Sequence, residues 1–140
     1  MTTKETLQTL YEAFATGNIP FILETLSEDF AWQNPSDPSV VPYGGKYSGR
    51  AGLMEYFQKL GETTNTTLWE VHDYATEGDK GAAQGKYGFQ IKKTGKDVLT
   101  DWVMTWRFDN GVPVAAKIFY DTAATEKAFS KIEVEQLEEI

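Results

Sequence analysis

The stretch from Val98 to Asp121, VLTDWVMTWRFDNGVPVAAKIFYD, constrains the fold more than any other part of the chain. Aromatic and β-branched residues fill two arms, and Asp109-Asn110-Gly111 lies between them, where residues that tolerate positive φ let two strands reverse tightly. Residues two apart in a strand share a face. Trp102, Met104, Trp106 and Phe108 therefore form one apolar stripe, and Asp101, Val103, Thr105 and Arg107 form the opposite one. On the return arm Ala116, Ile118 and Tyr120 share a face, and Lys117, Phe119 and Asp121 share the other. A sheet with two tryptophans, a methionine and a tyrosine on one side needs a cover, and the cover determines what the domain can bind.

The chain has 140 residues, enough for one domain that buries roughly two-thirds of its unfolded surface. It has no cysteine, which excludes disulfides, thiolate nucleophiles and cysteine metal sites, so stability must come from packing. Lys and Arg number 13 against 21 Asp and Glu, a net charge of −8. An acidic surface repels phosphate backbones and anionic lipid heads, so neither nucleic acid nor membrane is expected as a partner. The polar N-terminus TTKETLQT and the lack of a long apolar run point to a cytoplasmic protein. No HExxH, CxxC, GxxxxGK[ST] or other metal or phosphate pattern is present, so no metal or cofactor is expected.

Leu7, Leu10, Tyr11 and Phe14 give one side of a first helix over residues 3 to about 16, ended by Gly17. Pro20 through Leu26 predicts a short second helix. Phe30 to Asn34 reads as a strand with Phe30, Trp32 and Asn34 on one face. Residues 35–49, with three prolines and three glycines, read as a long loop serving as lid or rim. A third helix carries Leu53, Tyr56, Phe57 and Leu60 and ends at Gly61. From Thr66 to Asp121 the turns at Gly78–Gly81, Thr94–Lys96 and Asp109–Gly111 divide a meander of four strands. Helices first and strands after give an α+β domain. Residues 126–140 read as an acidic tail, helical or frayed.

LYEAFATGN at 10–18, LSEDFAWQNP at 26–35, YSGRAGLMEYFQKL at 47–60, EGD at 77–79 and IFYD at 118–121 together resemble the SnoaL-like branch of the nuclear transport factor 2-like (NTF2-like) superfamily. That superfamily includes ketosteroid isomerase and limonene epoxide hydrolase. The resemblance covers residues 3 to about 125 and implies a cone-shaped half-barrel, with three N-terminal helices on a curved, mostly antiparallel sheet around an apolar pocket. It also implies a homodimer paired through the outer sheet face, where Asp101, Val103, Thr105, Arg107 and Phe119 would lie. Carried onto this chain, it turns Trp32, Asn34, Phe57, Tyr87 and Phe89 toward the pocket. It turns Trp102, Met104, Trp106, Ile118 and Tyr120 the same way.

The catalytic groups of the best-known members do not carry over. Asn34 stands where ketosteroid isomerase has its carboxylate base, and an amide cannot accept a proton at neutral pH. The oxyanion positions match Leu10, one residue from Tyr11, and Met104. The epoxide hydrolase set meets apolar residues, including Ile118. Asp121 is the nearest counterpart of the acid/base aspartate of SnoaL-type cyclases.

His72 is the only histidine and could move protons near pH 7 if it faced inward. Its strand has two phases: Leu68, Glu70, His72 and Tyr74, or Trp69, Val71 and Asp73. The expectation is a pocket for a small apolar or aromatic molecule. One reading adds proton-transfer chemistry of the isomerase, cyclase or hydrolase kind, with Asp121 or His72 carrying protons and Asn34 orienting the ligand. The other is a non-catalytic ligand carrier or dimeric interaction module.

Overall fold

A computed structural model describes residues 1–130. Its elements are α1 (Thr3–Thr16), α2 (Ile19–Thr25), β1 (Ala31–Asn34), β2 (Gly45–Ser48), α3 (Gly49–Thr63), β3 (Thr64–Glu77), β4 (Lys80–Ile91), β5 (Asp97–Asp109), β6 (Val112–Tyr120) and α4 (Thr122–Phe129). Local chemistry sets the helix ends. The Thr2 hydroxyl accepts the Glu5 N–H at 3.1 Å while the Glu5 carboxylate accepts the Thr2 N–H at 3.1 Å, a reciprocal box that supplies two donors otherwise unpaired at a helix start. Gly17 closes α1 at φ 70°, a left-handed conformation that glycine adopts without a Cβ clash.

The six strands form one sheet in the order β2-β1-β6-β5-β4-β3, antiparallel except for the parallel β1–β6 pair. The closing hairpin reverses at Asn110 and Gly111, both at positive φ, as its sequence demands. Along β5 burial alternates at every residue, with Val98, Thr100, Trp102, Met104, Trp106 and Phe108 inside. Helices α1, α2 and α3 cover that inner face, giving the α+β half-barrel expected from the sequence.

Several local expectations need correction. The segment 35–49 holds a strand, β2, which pairs Gly45 with Asn34 and Ser48 with Ala31. GGKYSG carries no β-branched residue to announce a strand; the free hydrogen-bonding edge of β1 supplies the reason for one. Helix α3 runs through Gly61 to Thr63, and Gly61 is an interior helical residue with open space around it. The packed domain continues past residue 125: α4 ends at Phe129 and buries Thr125 and Ala128. Residues 131–140, the rest of the expected acidic tail, lie outside the described residues.

The core has two parts. The larger runs from Leu7 and Leu10 of α1 through Trp32, Tyr56 and the β5 stripe to Ile118. The smaller gathers Phe89, Ile91, Val98 and Ala128. Strand β3 departs from simple alternation, with register shifts between Thr66 and Leu68 and between Val71 and Asp73. These bulges break the period of two from which a face is read off a sequence.

Candidate functional site

A cavity of about 310 Å³ lies between the helices and the inner face of the sheet. Its floor is Met104, Trp106 and Ile118 from the central strands, with Trp32 from β1. Leu53, Tyr56, Phe57 and Leu60 of α3 form one wall, one helical stripe at spacings of three, one and three. Phe14, Ile19 and Ile22 close it from the α1–α2 side, while Thr66, Trp69 and Tyr87 close it from β3 and β4. A larger open groove of about 620 Å³ crosses the outer face, lined by Lys46, Lys80, Arg107 and Lys117 over small residues such as Ala31 and Ala115. The inner cavity is the better candidate for a small molecule, because apolar walls on several sides remove a ligand's surface from water and a shallow groove does not.

Six of the expected pocket residues line this cavity: Trp32, Phe57, Tyr87, Met104, Trp106 and Ile118. The other four do not. Phe89 is on the inner face but at its far end, in the second core cluster, where Ala128 of α4 packs against it. Trp102, 1% exposed, is consumed by packing: its indole stacks on Trp69 at 4.5 Å and 6°, and Tyr11 stacks on Trp102 at 5.5 Å. Its indole N–H donates to the Glu70 carbonyl at 3.1 Å. Gly85 makes that bond possible. A Cβ there would come within 1.8 Å of the Glu70 oxygen, so only glycine lets the bulged β3 backbone lean inward.

Asn34 and Tyr120 sit together just behind the α3 wall. The Asn34 side-chain oxygen accepts the Ser36 N–H at 3.0 Å and the Tyr120 O–H at 2.8 Å, and the Ser36 hydroxyl closes on the Tyr120 hydroxyl. The Asn34 amide N–H donates to the Tyr56 oxygen at 3.3 Å. Asn34, 2% exposed, thus has both acceptor directions of its oxygen and one amide N–H engaged within the protein. Tyr11, one residue from the matched oxyanion position, is likewise engaged: its oxygen accepts the Trp106 indole N–H at 2.9 Å.

The two acid–base candidates are elsewhere. His72 is the extra residue of the β3 bulge. It projects with Glu70, its Nε2 lying 2.9 Å from the Glu70 carboxylate, and both side chains are nearly half exposed. The bulge resolves the two phases, since Trp69 and Tyr74, one from each set, both pack against the inner ring of Tyr11. Asp121 caps α4, accepting the Ala124 N–H at 2.9 Å. Neither lines the cavity, and the structure does not bring His72, Asp121 and Asn34 together.

Among the described residues lining the cavity there is no carboxylate, histidine, lysine or arginine. Its titratable groups are two phenols. Burial is the chief cause of both shifts: it holds Tyr56 far above the usual phenol range and pushes Tyr87 up to about 12. At pH 7 the whole lining is neutral. It can solvate rings and donate hydrogen bonds, but it offers no side chain that takes up a proton. Sequence reading missed Tyr56 and Trp69 as lining residues. Tyr56 lay on the predicted α3 stripe and could have been found there, whereas Trp69 was hidden by the bulge.

The comparisons with known proteins agree with this architecture. The SnoaL-like domain family model matches residues 7–115. No curated protein matches the chain. An NTF2-like protein of unknown function from Burkholderia pseudomallei K96243 superposes with a TM-score of 0.81 at 22% identity, covering 93% of this chain and 99% of the other. TerC, co-crystallised with polyporic acid, gives 0.75 at 19% identity and 91% and 98% coverage. A protein from Pseudomonas putida KT2440 proposed to be a polyketide cyclase gives 0.75 at 18% identity, with 91% and 98% coverage. At these identities the structural neighbours establish the fold. The family match spans most of the chain, and the protein belongs to the SnoaL-like family.

Proposed function

We propose that this protein binds a compact, ring-bearing apolar molecule in the cavity between its helices and sheet. The observation that carries this reading is a hollow of about 310 Å³ walled by aromatic and aliphatic side chains and carrying no charge. An engineered cavity of about 150 Å³ takes up benzene, so twice that volume suits a molecule of one or two rings. A fold relative, TerC, has been crystallised with the small molecule polyporic acid, which supports use of this fold for ligands. Binding is favoured over acid–base catalysis because the cavity has no group that exchanges protons near pH 7. The test is titration with small aromatic and alicyclic probes, followed by tryptophan fluorescence and thermal unfolding. A probe present at one hundred times its Kd should stabilise the fold by about 2.7 kcal/mol. Absence of any shift across one- and two-ring probes would end this reading.

Pairing of two copies through the outer sheet face is the second part of the proposal. Lys46, Lys117 and Arg107 lie on β2, β6 and β5, while Glu70 and Asp73 lie on β3 at the other edge of the sheet. A two-fold axis along the central strands would set the cationic side of one copy against the acidic side of the other. Leu99, Val103 and Phe119, each over 40% exposed, supply apolar surface between them. Sedimentation at micromolar concentration should give twice the 15.7 kDa chain mass, and a species of 15.7 kDa alone would refute pairing.

A further inference from the structure

The lining of the cavity is buried to different degrees along its length. At one end Trp32, Leu53, Met104 and Ile118 are all buried. At the other the lining reaches solvent: Ala15 and Gly17 are exposed, and Phe14, Ile19, Phe57 and Leu60 are half-buried. Residues that line a hollow and also meet water mark where a molecule can pass from one to the other. That place lies between the corner joining α1 to α2 and the C-terminal half of α3.

The buried end is closed by packing. Tyr43, 2% exposed, is in ring contact with both Tyr56 of the cavity wall and Phe129 of α4, at 6.1 and 5.9 Å. Asn34 and Tyr120 are bonded to each other beside it. At the solvent end the closure is of another kind. The Phe14 ring of α1 meets the Phe57 ring of α3 at 6.0 Å and 59°, joining two helices across the opening. A contact between phenyl rings contains no hydrogen bond, so it opens without leaving a polar group unpaired. The neighbouring helix is held lightly: α2 has seven residues, too few to persist without packing, and within it only Ile22 is buried. Segments with few buried contacts are where a fold opens locally.

We infer that small molecules enter the cavity between the α1–α2 corner and α3, and that Phe14 and Phe57 form the gate, parting as α2 moves outward and closing again over the ligand. This rests on the cavity reading proposed above and adds to it the route and the residues that set the rate of exchange. The two rings control passage, whereas the buried end of the lining holds what has passed.

The chain has no cysteine, so a cysteine introduced at one position can be labelled there alone. The test is stopped-flow tryptophan fluorescence on mixing the full chain with tetralin. A bulky maleimide on Ala15→Cys, at the mouth, should slow association and dissociation by about tenfold or more. The same label on Val40→Cys, exposed in the loop that carries Tyr43, should leave both rates unchanged. Phe14→Ala removes half of the gate and should raise both rates by a similar factor, so that Kd moves far less than either; trimming a residue that only contacts the ligand would raise dissociation alone. Unchanged rates with the label at position 15, a block by the label at position 40, or a Phe14→Ala effect confined to dissociation would each overturn the gate while leaving the cavity reading standing. Absence of a saturable signal in the unlabelled protein would overturn both. Should Phe14→Ala not fold, Phe14→Leu, which keeps apolar bulk without the ring, is measured in its place with the same expectation.

Discussion

The two faces of strands β5 and β6 are one residue apart in sequence and differ in almost every physical respect. Trp102, Met104, Trp106 and Ile118 point inward and are nearly inaccessible, while Leu99, Val103 and Phe119 on the other side are exposed at 64%, 41% and 42%. The inner face carries no charge, whereas the outer face carries charges of both signs, with Arg107 and Asp101 on the same strand. The same hydrogen-bonded ladder thus supports the face proposed to take small apolar molecules and the face proposed to meet a second copy. Register keeps the two faces apart: a slip of one residue would exchange them.

The comparison breaks most visibly under truncation. Trp102→Ala should destabilise the fold by about 3–5 kcal/mol in urea unfolding, because it removes the stack with Trp69 and Tyr11. Val103→Ala, one residue away on the outer face, should change monomer stability by no more than about 0.5 kcal/mol. Near-equal losses would mean that the inner stripe is not the core.

Gly85→Ala comes next. The added Cβ has no room beside the Glu70 carbonyl, and forced overpacking of this kind costs about 1–3 kcal/mol. Because that carbonyl also receives the Trp102 N–H, the variant should show altered tryptophan emission as well as a lower midpoint. Unchanged emission would indicate that β3 does not need to lean inward.

A smaller effect follows from the phenols. Burial raises Tyr87 in the folded state to about 12, above its unfolded value near 10. Above pH 10 the unfolded chain loses this proton while the folded one keeps it, so the contribution is whole below pH 10 and is lost as pH rises toward 12. Tyr87→Phe should flatten that part of the stability profile, and an unchanged slope would place Tyr87 in water.

The smallest effect on the monomer belongs to the outer face. Arg107→Glu with Lys117→Glu should weaken pairing in sedimentation while leaving unfolding of the isolated chain within about 0.5 kcal/mol. A pairing constant that does not move would show that this face does not hold the partner.

Much of this contrast is visible in the sequence, and the parts that are not have identifiable causes. The β5 stripe, the Asn110-Gly111 turn, the Gly17 stop and the Leu53–Leu60 helix face depend on local spacing, which a sequence displays directly. Trp69 and His72 depend on the bulge at β3, a non-local adjustment in which Gly85 of the next strand makes room. Strand β2 depends on the need of β1 for a partner. Phe89 alternates correctly and still misses the cavity, because α4 covers that end of the sheet. Trp102 has the right face too, but a neighbouring indole occupies the space in front of it. Strand phase fixes which way a side chain points; what it meets there is decided by the packing of other elements.

The most direct test of the central claim is a tetralin titration followed by tryptophan fluorescence in the unaltered protein and in Leu60→Trp, which places an indole in the cavity wall. The account predicts a saturable change in the unaltered protein that is lost when the added indole fills the space. A titration with no saturable change, or one that Leu60→Trp leaves untouched, would contradict it.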